Sequence, residues 1–182
     1  MPGINIIDGK GRGFAMAVDS EGHGIVDALT FPDIAHVAEV HGQTFTWSSG
    51  TYNAAANDTI LLVKNTSTTR NLFITDIWMS ADTEGRVFIH RPTSEVTPTG
   101  TAVTGVNTNG TSNNVADATA IRTETNNSPG DIFWAGELQA AQDPYHVQTR
   151  SAWIFGQNQS IAVDYVLEVN AVVDVTIMGY FE

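Results

Sequence analysis

The residues best equipped for proton transfer or metal binding are five histidines, His23, His36, His41, His90 and His146. His36 and His41 stand five apart with Glu39 between them. A helical zinc-protease site needs two histidines four apart, with a glutamate directly after the first, so that both ligands share one face. The spacing here misses that face, and the pair reads as polar groups at a strand entrance or a subunit contact. His90 closes a predicted strand and reads as a surface or interface group. The acidic turns Asp19–Gly22 and Asp82–Gly85 offer oxygen ligands without the regular spacing of a calcium loop, and fit ordinary turns better. Gly9, Gly11 and Gly13 alternate with Lys10 and Arg12. A phosphate loop needs a preceding strand, a Lys-Ser/Thr pair and a following helix, and none of these is predicted around this stretch. No G-x-S-x-G elbow is present, and with no cysteine there is no thiolate nucleophile, thiolate metal site or disulfide. No pair of carboxylates is marked for glycoside hydrolysis. The sequence therefore predicts no catalytic residues, no metal site, no cofactor and no enzymatic activity.

Aromatic residues carry the next signal. Trp47, Trp78, Trp134 and Trp153 suit either a sugar-stacking platform or a core and its contacts. Trp134 follows Phe133, and Trp153 precedes Ile154 and Phe155. On a strand, neighbouring side chains point to opposite faces, so part of this aromatic surface must lie outside the first core. Large exposed apolar surface marks contact sites. Trp78, Trp134, Trp153, Met178 and Tyr180 are the candidate oligomer-interface residues.

The elements that position these residues read as strands. Only 15% of the 182 residues are charged, against 42% hydrophobic. The polar surface must then come mainly from Thr, Asn, Ser, Gln and Gly, the residues of strands and turns rather than helices. Ile60 to Val63 is a short apolar run, as in a strand covered on both faces. Leu72 to Met79 and Arg86 to His90, joined by Asp82–Gly85, read as a hairpin. Ala102, Val103 and Val106 suggest an interrupted strand in the polar stretch from Pro92 to Asn114. Val115 to Thr125, Ile132 to Leu138 and Val147 to Phe155 follow as strands. Ile161, Val163, Tyr165 and Leu167 alternate, as do Val173, Val175, Ile177 and Phe181, so the last two strands are expected to form a hairpin or to pack antiparallel. Roughly eight or nine strands with turn signals between them predict an all-β, antiparallel β-sandwich of jelly-roll type. Residues 1–41 differ: they are glycine-rich with little to bury, and predict an extended N-terminal arm with short strands ahead of a β-domain over 42–182.

Eight basic residues against twenty acidic ones give a formal net charge of −12. Such a surface repels phosphate backbones and anionic membranes, so neither nucleic acid nor membrane is an expected partner. No apolar run approaches the roughly 20 residues needed to cross a bilayer. The N-terminus lacks the basic start and continuous apolar stretch of a signal peptide. Lys10 and Arg12 oppose the charge of the rest of the chain, which suits contact with an acidic surface on a partner or a neighbouring copy; a disordered tail is the other reading.

Three stretches carry a resemblance. Ile60 to Ser67 (ILLVKNTS) followed by Leu72 to Ile77 (LFITDI), Pro98 to Asn107 (PTGTAVTGVN) with Thr111 to Ala116 (TSNNVA), and the ending Val175 to Glu182 (VTIMGYFE) resemble passages of tailed-bacteriophage virion proteins. The resemblance covers about residues 42–182. It implies a jelly-roll capsid decoration, or cement, protein, a homotrimer on the capsid exterior of the virion with the major capsid protein as partner. Lys10, Arg12 and Phe14 would then belong to the capsid-binding arm. Related jelly rolls occur in tail-fibre and receptor-binding proteins, so a carbohydrate-recognition module of a phage virion is the alternative, with the loop from 92 to 114 and Trp134 as its candidates.

Overall fold

The computed structural model describes residues 5–7, 13–15, 37–55, 58–93, 99–122, 124–125, 129–140, 143–166 and 171–182. The chain divides into two compact units, Met1–Pro32 and Asp33–Glu182. In the first, β1 (Asn5–Ile7) pairs antiparallel with β2 (Gly13–Ala15), with Ile6 opposite Phe14. Phe14 thus sits in a short paired strand. Lys10, Arg12, the turn Asp19–Gly22, His23 and His36 lie outside the described residues.

The second unit opens with one π-helical turn, Val37–His41. Three asparagines of the 107–114 loop hold it. Asn109 Nδ2 donates to Ala38 O (2.9 Å), Asn114 Nδ2 to His41 O (2.9 Å) and Asn107 Nδ2 to Gly42 O (2.8 Å). The loop's amide donors thus reach carbonyls of the turn and of Gly42, and Ala38 O accepts from Gly42 N as well. The division after Pro32, ahead of residue 42, follows from this attachment.

The remaining elements form two antiparallel sheets. One takes the order β12 (Pro129–Leu138), β7 (Gly85–Pro92), β14 (Ser160–Val166), β5 (Asp58–Asn65), β10 (Ala118–Arg122), β8 (Thr101–Val103), with β11 (Glu124–Thr125) also on β5. The other runs β13 (Tyr145–Phe155), β6 (Leu72–Ala81), β15 (Ala171–Phe181), β3 (Thr44–Ser48), β9 (Val106–Asn107), with β4 (Tyr52–Ala54) also on β15. Residues from both sheets, among them Phe45, Trp47, Ile77, Ile89, Val163 and Phe181, share one buried core. The molecule is a β-sandwich. Alternation produces it: on β6, Leu72, Ile74, Ile77 and Met79 are buried, while Phe73, Asp76, Trp78 and Ser80 are half-buried. The apolar run of β5 is buried at every position, as a strand covered on both faces requires.

The hairpin expected from Leu72–Met79 and Arg86–His90 does not form. β6 and β7 belong to different sheets and face each other across the core. The turn between them is tied to β15: Asp82 N donates to Val172 O (3.0 Å), and Val172 N donates to Asp82 Oδ1 (2.8 Å). Tyr165 Oη donates to Thr83 O from the opposite sheet. The carboxylate that read as a possible calcium ligand thus serves as a backbone acceptor. β14 and β15 are likewise split between the sheets rather than paired as a hairpin. Two adjacent alternating strands bury their apolar faces equally well side by side or face to face, so the pattern alone does not choose.

Burial raises the pKa of three tyrosines above 10.0. Desolvation is the main cause in each; the hydrogen bond to Asp58 adds to it at Tyr52, and the charges of Asp82 and Glu84 add to it at Tyr165. The folded state therefore holds these protons more tightly than the unfolded chain. Their contribution to stability is complete below about pH 10 and is lost as pH rises through the folded values. Urea midpoints are expected to fall as pH rises above about 10, and to fall less in Tyr165→Phe, which cannot ionise. Equal alkaline losses in both proteins would remove Tyr165 from this account.

Candidate functional site

Three cross-strand rows build the outer face of the β13–β6–β15–β3 sheet. His146, Trp78, Thr176 and Ser48 form the first; Gln148, Asp76, Met178 and Thr46 the second; Phe73, Tyr180 and Thr44 the third. The residues stand where they do because each strand's inner positions are taken by the core. His146 stacks on Trp78 at 4.6 Å between ring centroids and 4° between planes, and its Nε2 lies 2.8 Å from Asp76 Oδ1. The carboxylate thus fixes the imidazole's orientation over the indole. Phe73 stacks on Tyr180 at 4.9 Å. Tyr180 is buried within the chain, whereas Trp78 and Met178 are half-buried.

The other two tryptophans lie at the open side of the sandwich, where the edge strands β12 and β13 run beside one another. Phe133 of β12 stacks on Trp153 of β13 at 4.9 Å and meets Phe155 edge-on at 5.8 Å. Trp134 tilts against Tyr145 at 5.1 Å. Its ring also covers Gly136 so closely that an added Cβ there would come within 2.3 Å of it. Trp134 and Trp153 pack half-buried against the core, but Ile154, Ile132 and Tyr145 remain 57%, 50% and 45% exposed. The five expected interface residues therefore form two groups: Trp78, Met178 and Tyr180 on the sheet face, Trp134 and Trp153 at the edge. β13 joins them: His146 and Ile154 stand on its outer face, opposite Trp78 and Phe73, while Trp153 turns toward β12.

His90 is not a surface group. It is fully buried, with Nε2 2.6 Å from Asp164 Oδ2, while Thr59 Oγ1 donates to Asp164 Oδ1 at 2.6 Å. His90 Nδ1 is buried with no hydrogen-bond partner among the described residues. The strand-end position suggested exposure, but β7, β14 and β5 are closed on their outer face here, where Leu62, Ile121 and Ala162 form a second buried cluster. The Thr59–Asp164–His90 chain resembles a proton relay in composition only, since solvent does not reach it. Sequence reading missed it because the three residues are far apart in the chain. A histidine amid the apolar pattern of β7 was the one available signal.

His41 is exposed in its turn, and no cluster of three potential metal ligands occurs among the described residues. Aromatic and aliphatic groups thus stand exposed on β12, on β13 and on the adjoining sheet face. No protein-family model, no curated protein and no solved structure matches this chain.

Proposed function

We propose that this chain is a decoration protein of a tailed-phage capsid, a jelly roll that self-associates as a trimer and binds the shell exterior through the major capsid protein. The observation that carries the reading is the apolar surface on β12 and β13 in a chain of net charge −12. Copies so charged repel one another, so self-association needs a patch where apolar contact outweighs the repulsion. Ile132, Phe133, Tyr145 and Ile154 supply exposed apolar groups on these two edge strands. The strand order supports the jelly-roll reading: four main strands in each sheet, β3–β15–β6–β13 and β5–β14–β7–β12, linked almost wholly by crossings between sheets. A trimer would bind a shell through three weak contacts at once, raising avidity by about 10²–10⁴ over one contact. The basic segment with Lys10 and Arg12 provides the attachment device in this reading.

Sedimentation equilibrium tests the association. The wild type is expected as a trimer and Ile154→Asp as a monomer with unchanged circular dichroism; a monomeric wild type sinks the proposal. Deleting residues 1–30 is expected to abolish binding to the phage heads, and undiminished binding removes that segment from the mechanism. The alternative, a carbohydrate-recognition module, draws on Trp78 flanked by Asp76 and Gln148, an aromatic beside hydrogen-bonding groups. Glycan-array binding that is lost in Trp78→Ala would favour it.

A further inference from the structure

On the side of the sandwich away from β12 and β13, an open cavity of about 340 Å³ lies along the ends of the two sheets. Its walls include Thr46 and Ser48 of β3, Ala102 and Val103 of β8, Val106 of β9, and Arg122 of β10. Two features set it apart. The first is Arg122. Its Nη1 donates to Ser49 O at 2.7 Å, but no carboxylate lies within ion-pair distance of it among the described residues. Arg70 and Arg91, by contrast, pair with Asp117 and Asp131 on the surface. In a chain with twenty acidic residues, a guanidinium facing a cavity without one is poised for an external carboxylate.

The second feature is the pair of strand edges that frame the cavity. β9 covers β3 only opposite Phe45 and Thr46, so Trp47 and Ser48 have a strand neighbour on the β15 side alone among the described residues. β8 ends its sheet, with β10 as its strand neighbour on one side alone among the described residues. Free edges carry unpaired backbone donors and acceptors, which an extended peptide satisfies by adding as a strand. No aromatic ring lines the cavity to stack on a sugar.

We propose that this cavity binds an extended segment of a protein partner, with a Glu or Asp side chain of that segment held by Arg122. The site is independent of the β12–β13 surface and of the capsid reading. The partner is recognised by two properties: an extended backbone that pairs with an edge, and a single carboxylate flanked by small or β-branched residues that suit Ala102, Val103 and Val106. A polyanion is disfavoured, because the chain's net charge of −12 repels multiple negative groups more than a single one.

The test uses the full chain and a fluorescein-labelled peptide of sequence Thr-Val-Glu-Val-Thr, read by fluorescence anisotropy. Binding is expected, and replacing the peptide's Glu by Gln should weaken it about ten- to a hundredfold, the range for losing a charged hydrogen bond. Arg122→Gln should weaken the Glu peptide equally and leave the Gln peptide unaffected. Because Arg122 also holds Ser49 O, a second variant keeps Arg122 in place. Val106 is 63% exposed on the cavity wall, and Val106→Asp offers Arg122 a resident carboxylate, which should abolish binding. Equal affinity for the Glu and Gln peptides, or no binding at millimolar protein, overturns the proposal. Arg122-dependent binding of D-glucuronate without peptide binding also overturns it, in favour of an acidic saccharide.

Discussion

Trp47→Ala is expected to destabilise the sandwich by about 3–5 kcal/mol, the range for deleting a fully buried large aromatic. Trp47 is fully buried on β3 and closes an aromatic triangle, 6.1 Å from Phe45 and 6.5 Å from Phe181, with those two 5.8 Å apart. Both neighbours lose ring contacts when it goes, and the strands around it are held by ladders that resist collapse into the space. The indole adds a second, opposite effect. Its Nε1 is buried with no hydrogen-bond partner, and a Cβ on Gly105 would come within 2.5 Å of it. An orphaned buried donor costs about 1–3 kcal/mol. Trp47→Phe removes that donor while keeping most of the ring, so its cost should be less than half that of the alanine variant. Gly105→Ala should destabilise, because the new methyl meets the indole. Urea midpoints at unchanged slope measure all three. A phenylalanine variant as unstable as the alanine one would contradict the orphan-donor account.

Asp164→Ala is expected to cost a similar amount, about 3–5 kcal/mol, as for breaking a buried hydrogen-bonded pair by removing one member. Its two carboxylate oxygens receive Thr59 Oγ1 and face His90 Nε2, each at 2.6 Å. Truncation leaves the imidazole with neither nitrogen partnered, in a place water does not reach. Asp164→Asn should cost less, since one acceptor oxygen survives. The double variant His90→Leu with Asp164→Leu should be less damaging than the sum of its singles, with a coupling of about 0.5–3 kcal/mol. Strict additivity would show that the two side chains do not act together.

The strands were legible in the sequence because each has an inner and an outer face, and alternation states which residues belong to which. β5, β6, β12, β13, β14 and β15 all fall on segments read as strands. Their partners were not legible. Asp82–Glu84 looks like a hairpin turn, yet its backbone bonds to Val172 of β15, far along the chain, decide where β7 goes. The same limit explains the site. Paired large residues such as Phe133 and Trp134 announced apolar surface beyond one core, but its gathering along β12 and β13 depends on those strands being the free edges of two sheets. His90 reads as exposed from its sequence neighbours because its burial comes from the closed outer face of its own sheet, where Ala162 of β14 stands directly opposite it. Arg122 carried no sequence signal at all, since what distinguishes it is that no carboxylate pairs with it among the described residues.

The alternation of the main strands between sheets also governs how the molecule can form. No two main strands that follow one another through a short loop are hydrogen-bonded to each other; β7 and β12, the one successive pair that is, have β8 to β11 between them. An isolated turn therefore gives no ladder to build on, and each pairing must wait for a strand distant in the chain. Such topologies fold on the millisecond-to-second scale, far slower than chains rich in local contacts. During that interval the long apolar segments of β12 and β13 stay open to other chains. Assembly in crowded synthesis would then be a race between closing the sandwich and joining copies too soon, and the heavy negative charge slows the second process.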